Sequence, residues 1–171
     1  TELNEEQAAF LLDYFEENLL PFVQPVLLVP KKIKPFLNNA ALYLTLQMQE
    51  TQEKGTKDRY AVLKIPSDHL SRFINLPAPE NQHNLIIIDD VIRFTAGLVF
   101  PGYEIIDAFS IKLTRDAELY IEDEFSGDLI QKIKKSLIKR NVGPPSRLVY
   151  DRTMPKELLS ILSDTFDLDE L

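Results

Sequence analysis

The sequence predicts an α+β domain: a mixed, largely antiparallel sheet of about five strands with four or more helices. Two observations carry that prediction. The first is an early pair of strand-like segments. Leu42, Leu44, Leu46 and Met48 alternate with Tyr43, Thr45, Gln47 and Gln49, and residues 60–65 follow a polar loop around Gly55. Period-two alternation interrupted by a short polar loop is the signature of a hairpin, hence of antiparallel pairing. The second is the later alternation of strand-like and helix-like segments, which leaves room for some parallel pairing.

The elements follow in order. From Leu3 to Leu20, apolar residues at Leu3, Phe10, Leu11, Tyr14, Phe15 and Leu19 keep close to a 3.6-residue period, so a helix is expected. Asn4 is its expected N-cap, Glu5 and Glu6 suit its positive end, and Pro21 and Pro25 stop it. The stretch through Pro30 and Pro35, with Lys31, Lys32 and Lys34, is expected to be an irregular connector. After the hairpin, Pro66-Ser67-Asp68 starts a turn or short helix, and residues 72–80 are extended and punctuated by proline. The continuous apolar run 85–88 predicts a strand buried on both faces. Asp89 and Asp90 are expected to cap a helix that turns Val91, Phe94, Leu98 and Val99 to one side. Residues 105–113 alternate again as a longer strand, and a helix is expected over 128–141, capped by Ser126 and ended by Gly143-Pro144-Pro145. Residues 147–151 form the last predicted strand, and Pro155 opens a helix carrying Leu158, Leu159 and Leu162.

At 171 residues the chain is long enough for one self-sufficient domain, and residues 1–171 are expected to form one. It starts on Thr1 rather than Met and stops in an acidic tail, so it is expected to be part of a longer polypeptide. Cysteine is absent, which removes disulfides, thiolate metal sites and a cysteine nucleophile, and fits a reducing compartment. No apolar run approaches the ~20 residues of a membrane span, and no signal peptide opens the sequence, so a cytoplasmic location is expected. A formal net charge of −8 disfavours nucleic acid as a partner. Any anion contact must come from a local cationic patch working against the global field.

Three cations are candidates for such contacts: Arg93, Lys112 and Arg115. Lys112, Thr114 and Arg115 end the long strand and could grip one phosphate; the preferred alternative pairs Arg115 with Asp116, Glu118 or another nearby carboxylate. Asp89 and Asp90 could hold Mg²⁺ beside a phosphate, but a helix cap is the commoner use of such residues. Lys132, Lys134, Lys135, Lys139 and Arg140 follow acidic residues along one predicted helix, the order that the helix dipole favours, and are expected to be a solvated face. His69 and His83 show no neighbour that would orient a catalytic imidazole. The five glycines are scattered singly, so no phosphate-binding loop is present, and no other catalytic signature occurs. No catalytic residue, metal ligand or cofactor is therefore assigned to this chain.

Five segments in order resemble the polyphosphate kinases: LNEEQAAFLLDYFEENLLPFVQPVLL, YAVLKIPSDHLSRFINLP, IIIDDVIRF, IKLTRDAE and VYDRTMP. The likeness runs over nearly the whole chain and is to that enzyme's second, or head, domain. It implies an enzyme that moves the terminal phosphate of ATP onto polyphosphate. That enzyme adds an N-terminal helical domain and two C-terminal domains similar to phospholipase D. The phosphorylated histidine and most ATP and Mg²⁺ contacts are implied to lie in those C-terminal domains. The head domain is implied to shape the tunnel and the subunit contacts of a dimer. Its expected partners are the other domains of the same polypeptide and a second subunit, with polyphosphate as a further candidate.

Overall fold

The computed structural model describes residues 3–29, 35–51, 58–115 and 143–168. The chain divides into two compact units: Thr1–Val29 with Leu42–Ser110, and Pro30–Ala41 with Ile111–Leu171. Among the described residues there are seven strands and three α-helices. Five strands form one sheet in the order β1 (Pro25–Leu28), β3 (Arg59–Lys64), β2 (Leu42–Glu50), β6 (Tyr103–Arg115), β7 (Pro145–Tyr150), and β4 (Phe73–Leu76) and β5 (Asn84–Ile87) form a separate ribbon.

In the first unit, α1 (Glu5–Tyr14) begins where the sequence places it. The Asn4 side chain accepts from Gln7 N at 2.8 Å, and Gln7 Oε1 accepts from Asn4 N at 3.3 Å, a reciprocal cap. Gln7 also donates from Nε2 to Pro77 O at 3.0 Å, so one buried amide both closes the helix start and holds a distant loop. The helix continues through a π turn (Phe15–Leu19) into a 3₁₀ turn (Leu20–Phe22), where Pro21 ends it. Leu11, Phe15 and Leu19 are buried at intervals of four, so the change of helix type keeps one apolar stripe on the core.

β1 (Pro25–Leu28) was not anticipated. It pairs antiparallel with β3 (Arg59–Lys64) from Pro25↔Leu63 to Leu28↔Tyr60, and Pro25 takes the first place of an edge strand, where proline is tolerated. The hairpin of β2 (Leu42–Glu50) with β3 is as expected, in register from Tyr43↔Lys64 to Met48↔Arg59. β2 is more deeply covered than its alternation implies: Tyr43 and Thr45 are buried along with Leu44, Leu46 and Met48. Thr45 meets the cost of burial by donating from Oγ1 to Phe109 O at 3.0 Å.

The apolar run 85–88 is not a doubly buried strand. β5 (Asn84–Ile87) pairs only with β4 (Phe73–Leu76), and Leu85 is 60% exposed. Ile74 is buried on the inner face, while Phe73 and Leu85 lie on the outer one. Asp89 and Asp90 do not cap α2 (Ile88–Val99) either. Ile87 takes the cap position without a side-chain bond, and the two carboxylates stand inside the first turn. The buried face of α2 is Ile88, Val91, Ile92, Thr95 and Ala96; Phe94 and Leu98, expected inward with Val91, are exposed.

β6 (Tyr103–Arg115) follows the turn at Gly102, whose φ of +88° is left-handed and suits glycine. Bonds from Thr51 N to Gly102 O and from Ala40 N to Leu113 O show β2 and β6 running in opposite directions. β7 (Pro145–Tyr150) is antiparallel to β6, and α3 (Lys156–Phe166) buries Leu158, Leu162 and Phe166 in the second unit. The α+β class is borne out, with no parallel pair among the described residues. The expected helix over 128–141, with its basic side chains, lies outside the described residues.

Candidate functional site

The end of β6 carries most of the chemistry in the second unit. Register with β7 runs Ile111↔Tyr150, Lys112↔Val149, Leu113↔Leu148 and Thr114↔Arg147, then slips by one residue so that Arg115 meets Pro145. Residues directly opposite in an antiparallel pair share a face. Ile111 and Leu113 are buried on one face, so Lys112, Thr114, Arg147 and Val149 occupy the other.

Arg115 does not join Lys112 and Thr114. Its Nε donates to Leu37 O at 3.1 Å, its Nη1 donates to Gly143 O at 2.9 Å, and its guanidinium lies 4.8 Å from the centre of the Phe36 ring. Its backbone N–H donates to Asn39 Oδ1 at 2.9 Å. Among the described residues Arg115 pairs with no carboxylate, and Asp116 and Glu118 lie outside them. The guanidinium fork is used to collect carbonyls from segments that pair with no strand of their own, a task for which its fixed, divergent donors are suited.

Arg93 is occupied in a similar way in the first unit. It donates to Asp90 Oδ1 at 2.9 Å, to Ser110 Oγ at 2.8 Å and to Ala108 O at 3.4 Å, tying α2 to β6. Arg72 Nη2 reaches Asp89 Oδ2 at 3.2 Å. Asp89 is buried, and its Oδ1 has no protein partner among the described residues. With one aspartate committed to Arg72 and the next to Arg93, the pair does not fit a Mg²⁺ site. No cluster of three or more metal-ligating side chains occurs among the described residues.

His69 stacks on Phe22 with ring centres 5.0 Å apart and stands 3.8 Å from Asp68 Oδ2. Asp68 accepts from Lys64 Nζ at 2.6 Å, and that hydrogen bond holds its carboxyl below the usual carboxylate range. His83 lines an open groove of about 840 Å³ in the first unit with Asn4, Asn84 and Asp90 among apolar neighbours. The groove gathers no nucleophile–base pair.

Residues 6–171 match the family model described as the polyphosphate kinase middle domain. The chain belongs to that family. It is 34% identical over 169 residues to the polyphosphate kinase of Escherichia coli strain K12, covering 95% of this chain and 24% of the relative. The Yersinia pestis polyphosphate kinase is also 34% identical, over 167 residues. The crystal structure of the Porphyromonas gingivalis polyphosphate kinase superposes with a TM-score of 0.77 at 29% identity, covering 99% of this chain and 23% of that one. The chain spans about a quarter of the length of the curated relatives it matches. No described helix is long and apolar enough to cross a membrane.

Sequence reasoning grouped Lys112 with Arg115 and overlooked Arg147. Adjacency in sequence suggested the first pair, whereas alternation along β6 separates them and the β6–β7 register supplies Arg147 instead.

Proposed function

We propose that this chain is a non-catalytic structural domain of a cytoplasmic polyphosphate kinase, making contacts with the other domains of its own polypeptide and with a second subunit. In this reading the whole enzyme transfers the terminal phosphate of ATP to polyphosphate, with ATP and Mg²⁺ held outside this domain. The supporting observation is where the chain spends its charges and its apolar surface. Arg72, Arg93 and Arg115 are bound into the fold, while Phe73, Leu85, Phe94 and Leu98 are large, apolar and exposed on the first unit. Phe94 and Leu98 are four apart on α2, and Phe73 and Leu85 are diagonal neighbours across the β4–β5 ribbon, so each pair is contiguous, and contiguous exposed apolar surface marks contact with another protein.

The test compares the full-length enzyme with the isolated chain. Replacing Phe94 and Leu98 together by Gln should leave the melt of the isolated chain unchanged and weaken assembly of the full-length protein, seen as a shift to smaller species in sedimentation. Unchanged assembly and unchanged turnover in the full-length variant would remove the role from this face. The isolated chain given labelled ATP should incorporate no phosphate; label on His69 or His83, lost on replacing that histidine, would make the domain catalytic.

A further inference from the structure

We infer that the outer edge of β5 is a docking site for one more β-strand, and that this strand is the stretch of the full-length polypeptide just before Thr1. The inference rests on the reading of the chain as a domain of a longer polyphosphate kinase, and it names one of the contacts which that reading requires.

The backbone of β5 offers the bonds. Ile88 N donates to Arg72 O at 2.9 Å, which makes Arg72 and Ile88 a hydrogen-bonded pair at the end of the antiparallel ribbon. Bonded and non-bonded pairs alternate, so Ile74↔Ile86 and Leu76↔Asn84 are bonded, and Phe73↔Ile87 and Asn75↔Leu85 are not. Leu85 and Ile87 therefore aim their N–H groups, and Leu85 its carbonyl, away from β4. Among the described residues no further strand pairs with β5. The open groove of about 840 Å³ lies there instead, lined by all four residues of β5 but by Leu76 alone of β4. Side chains alternate between the two faces of a strand, so a groove touching four in succession runs along its edge. Every residue that lines the groove belongs to the first unit.

This edge has the character of one that is covered. Exposed edge strands are usually guarded by lysine, proline or a bulge, and Asn84–Ile87 has none of these. A ribbon of two strands is marginal in water, and a third strand is the usual remedy. The far wall of the groove is the start of α1, where Leu3, Asn4 and Gln7 line it. Gln7 Nε2 is bonded to Pro77 O, just past β4, so the wall is held in place.

The position of Leu3 selects the occupant. Leu3 lines the groove, and the two residues before it span at most about 7 Å, so polypeptide joined to Thr1 starts beside β5. The chain matches a middle domain and covers 24% of the Escherichia coli relative, and the full-length protein of this reading supplies that polypeptide. A tethered strand docks at an effective concentration in the millimolar range, so a few backbone bonds suffice to hold it. Its expected chemistry is about four to six extended residues, without proline opposite Leu85. They should be apolar on the face shared with Ile86, which packs on the core.

Hydrogen exchange across β5 tests this without a variant. Three forms are compared: the 171-residue chain, the same chain extended at its N-terminus by its natural preceding residues, and the full-length enzyme. An extension of about ten residues, the length of a long strand, is enough. The Leu85 and Ile87 amides should exchange about tenfold or more slowly in the extended and full-length forms than in the chain, while Ile86 stays protected in all three. Equal exchange of Leu85 and Ile87 in every form would overturn the site. Protection in the full-length enzyme alone would give the edge to another domain or to the second subunit. Protection in the chain that grows with its concentration would give it to a second copy. Either result overturns the assigned occupant. Leu85→Pro is the matching variant, because it removes an N–H that β4 does not use, at an edge where proline is tolerated. In the extended chain it should return Ile87 to the fast exchange of the unextended one, and retained protection would count against the added strand. Should that variant fail to fold, the three unaltered forms decide alone. None of these outcomes involves Phe94 or Leu98, so docking at β5 and assembly through α2 can fail separately.

Discussion

Arg115 and Gly143 stand on either side of residues 116–142 and are bonded to each other, Nη1 to carbonyl oxygen, at 2.9 Å. The same guanidinium takes the carbonyl of Leu37, itself buried, and lies against Phe36. Three separate stretches of the second unit thus converge on one cation. Arg115→Ala should destabilise the chain by about 2–4 kcal/mol in urea melts: two hydrogen bonds to a charged group, each contributing about 1.5–3 kcal/mol, are lost, and the half-buried position lets water replace part of them. Arg115→Lys keeps the charge but cannot reach two divergent carbonyls at once, so it should recover roughly half of that loss or less. Full recovery by Lys would mean that charge, not the fork, is what the position requires.

The Lys64–Asp68 hydrogen bond sets a pH dependence with a definite sign. Asp68 is held below its ordinary value chiefly by that bond. A carboxyl that titrates lower in the folded state contributes stability above its unfolded value and loses it as pH falls through the folded one. Stability from this pair should therefore be present at neutral pH and fade on acidification. Lys64→Met should move the Asp68 carboxyl midpoint upward in an NMR titration, by less at high salt because Asp68 is half-exposed. A midpoint that does not move would assign the shift to the backbone of the turn instead.

What was legible in the sequence was local, and what was missed depended on partners. Asn4 was identifiable as a cap because a cap is decided within four residues, and the β2–β3 hairpin because its alternation and loop adjoin. Residues 85–88 were misjudged because an apolar run is the same string whether flanked by two strands or, as here, by one. Asp89 and Asp90 looked like caps because the strand was expected to end at Ile88; with the helix starting there and Ile87 at the cap position, they fall two and three residues too late to cap it. Arg147 was invisible as a neighbour of Lys112 because only the β6–β7 register places the two on one face.

The two faces of α2 provide a direct check on the helical phase. Ile92 is fully buried, whereas Phe94 is 44% exposed. Ile92→Ala should cost about 2–5 kcal/mol, the range for deleting a packed aliphatic side chain. Phe94→Ala should change stability by about 0.5 kcal/mol or less, as surface substitutions do. Denaturant melts of the two variants settle the phase. A large loss for Phe94→Ala would rotate the helix and return its apolar stripe to the one the sequence suggested.

Asp89 offers the sharpest energetic test, because its carboxylate is buried while its partner is not. Arg72 is 45% exposed, and Asp89 Oδ1 is enclosed without a protein donor among the described residues. Removing one member of a fully buried pair costs about 3–5 kcal/mol, since the other charge is left stranded. Solvent at Arg72 moderates that, so Arg72→Ala should cost about 1–3 kcal/mol. The diagnostic measurement is the double variant. Asp89→Asn removes the stranded charge while keeping the shape of the side chain, so Arg72→Ala with Asp89→Asn should be more stable than Arg72→Ala alone. A coupling of about 1–2 kcal/mol in the four-member cycle is the expected size for contacting residues. If the two losses simply add, Asp89 draws its compensation from the positive end of α2 rather than from Arg72. Asp89→Asn alone would then show the whole effect.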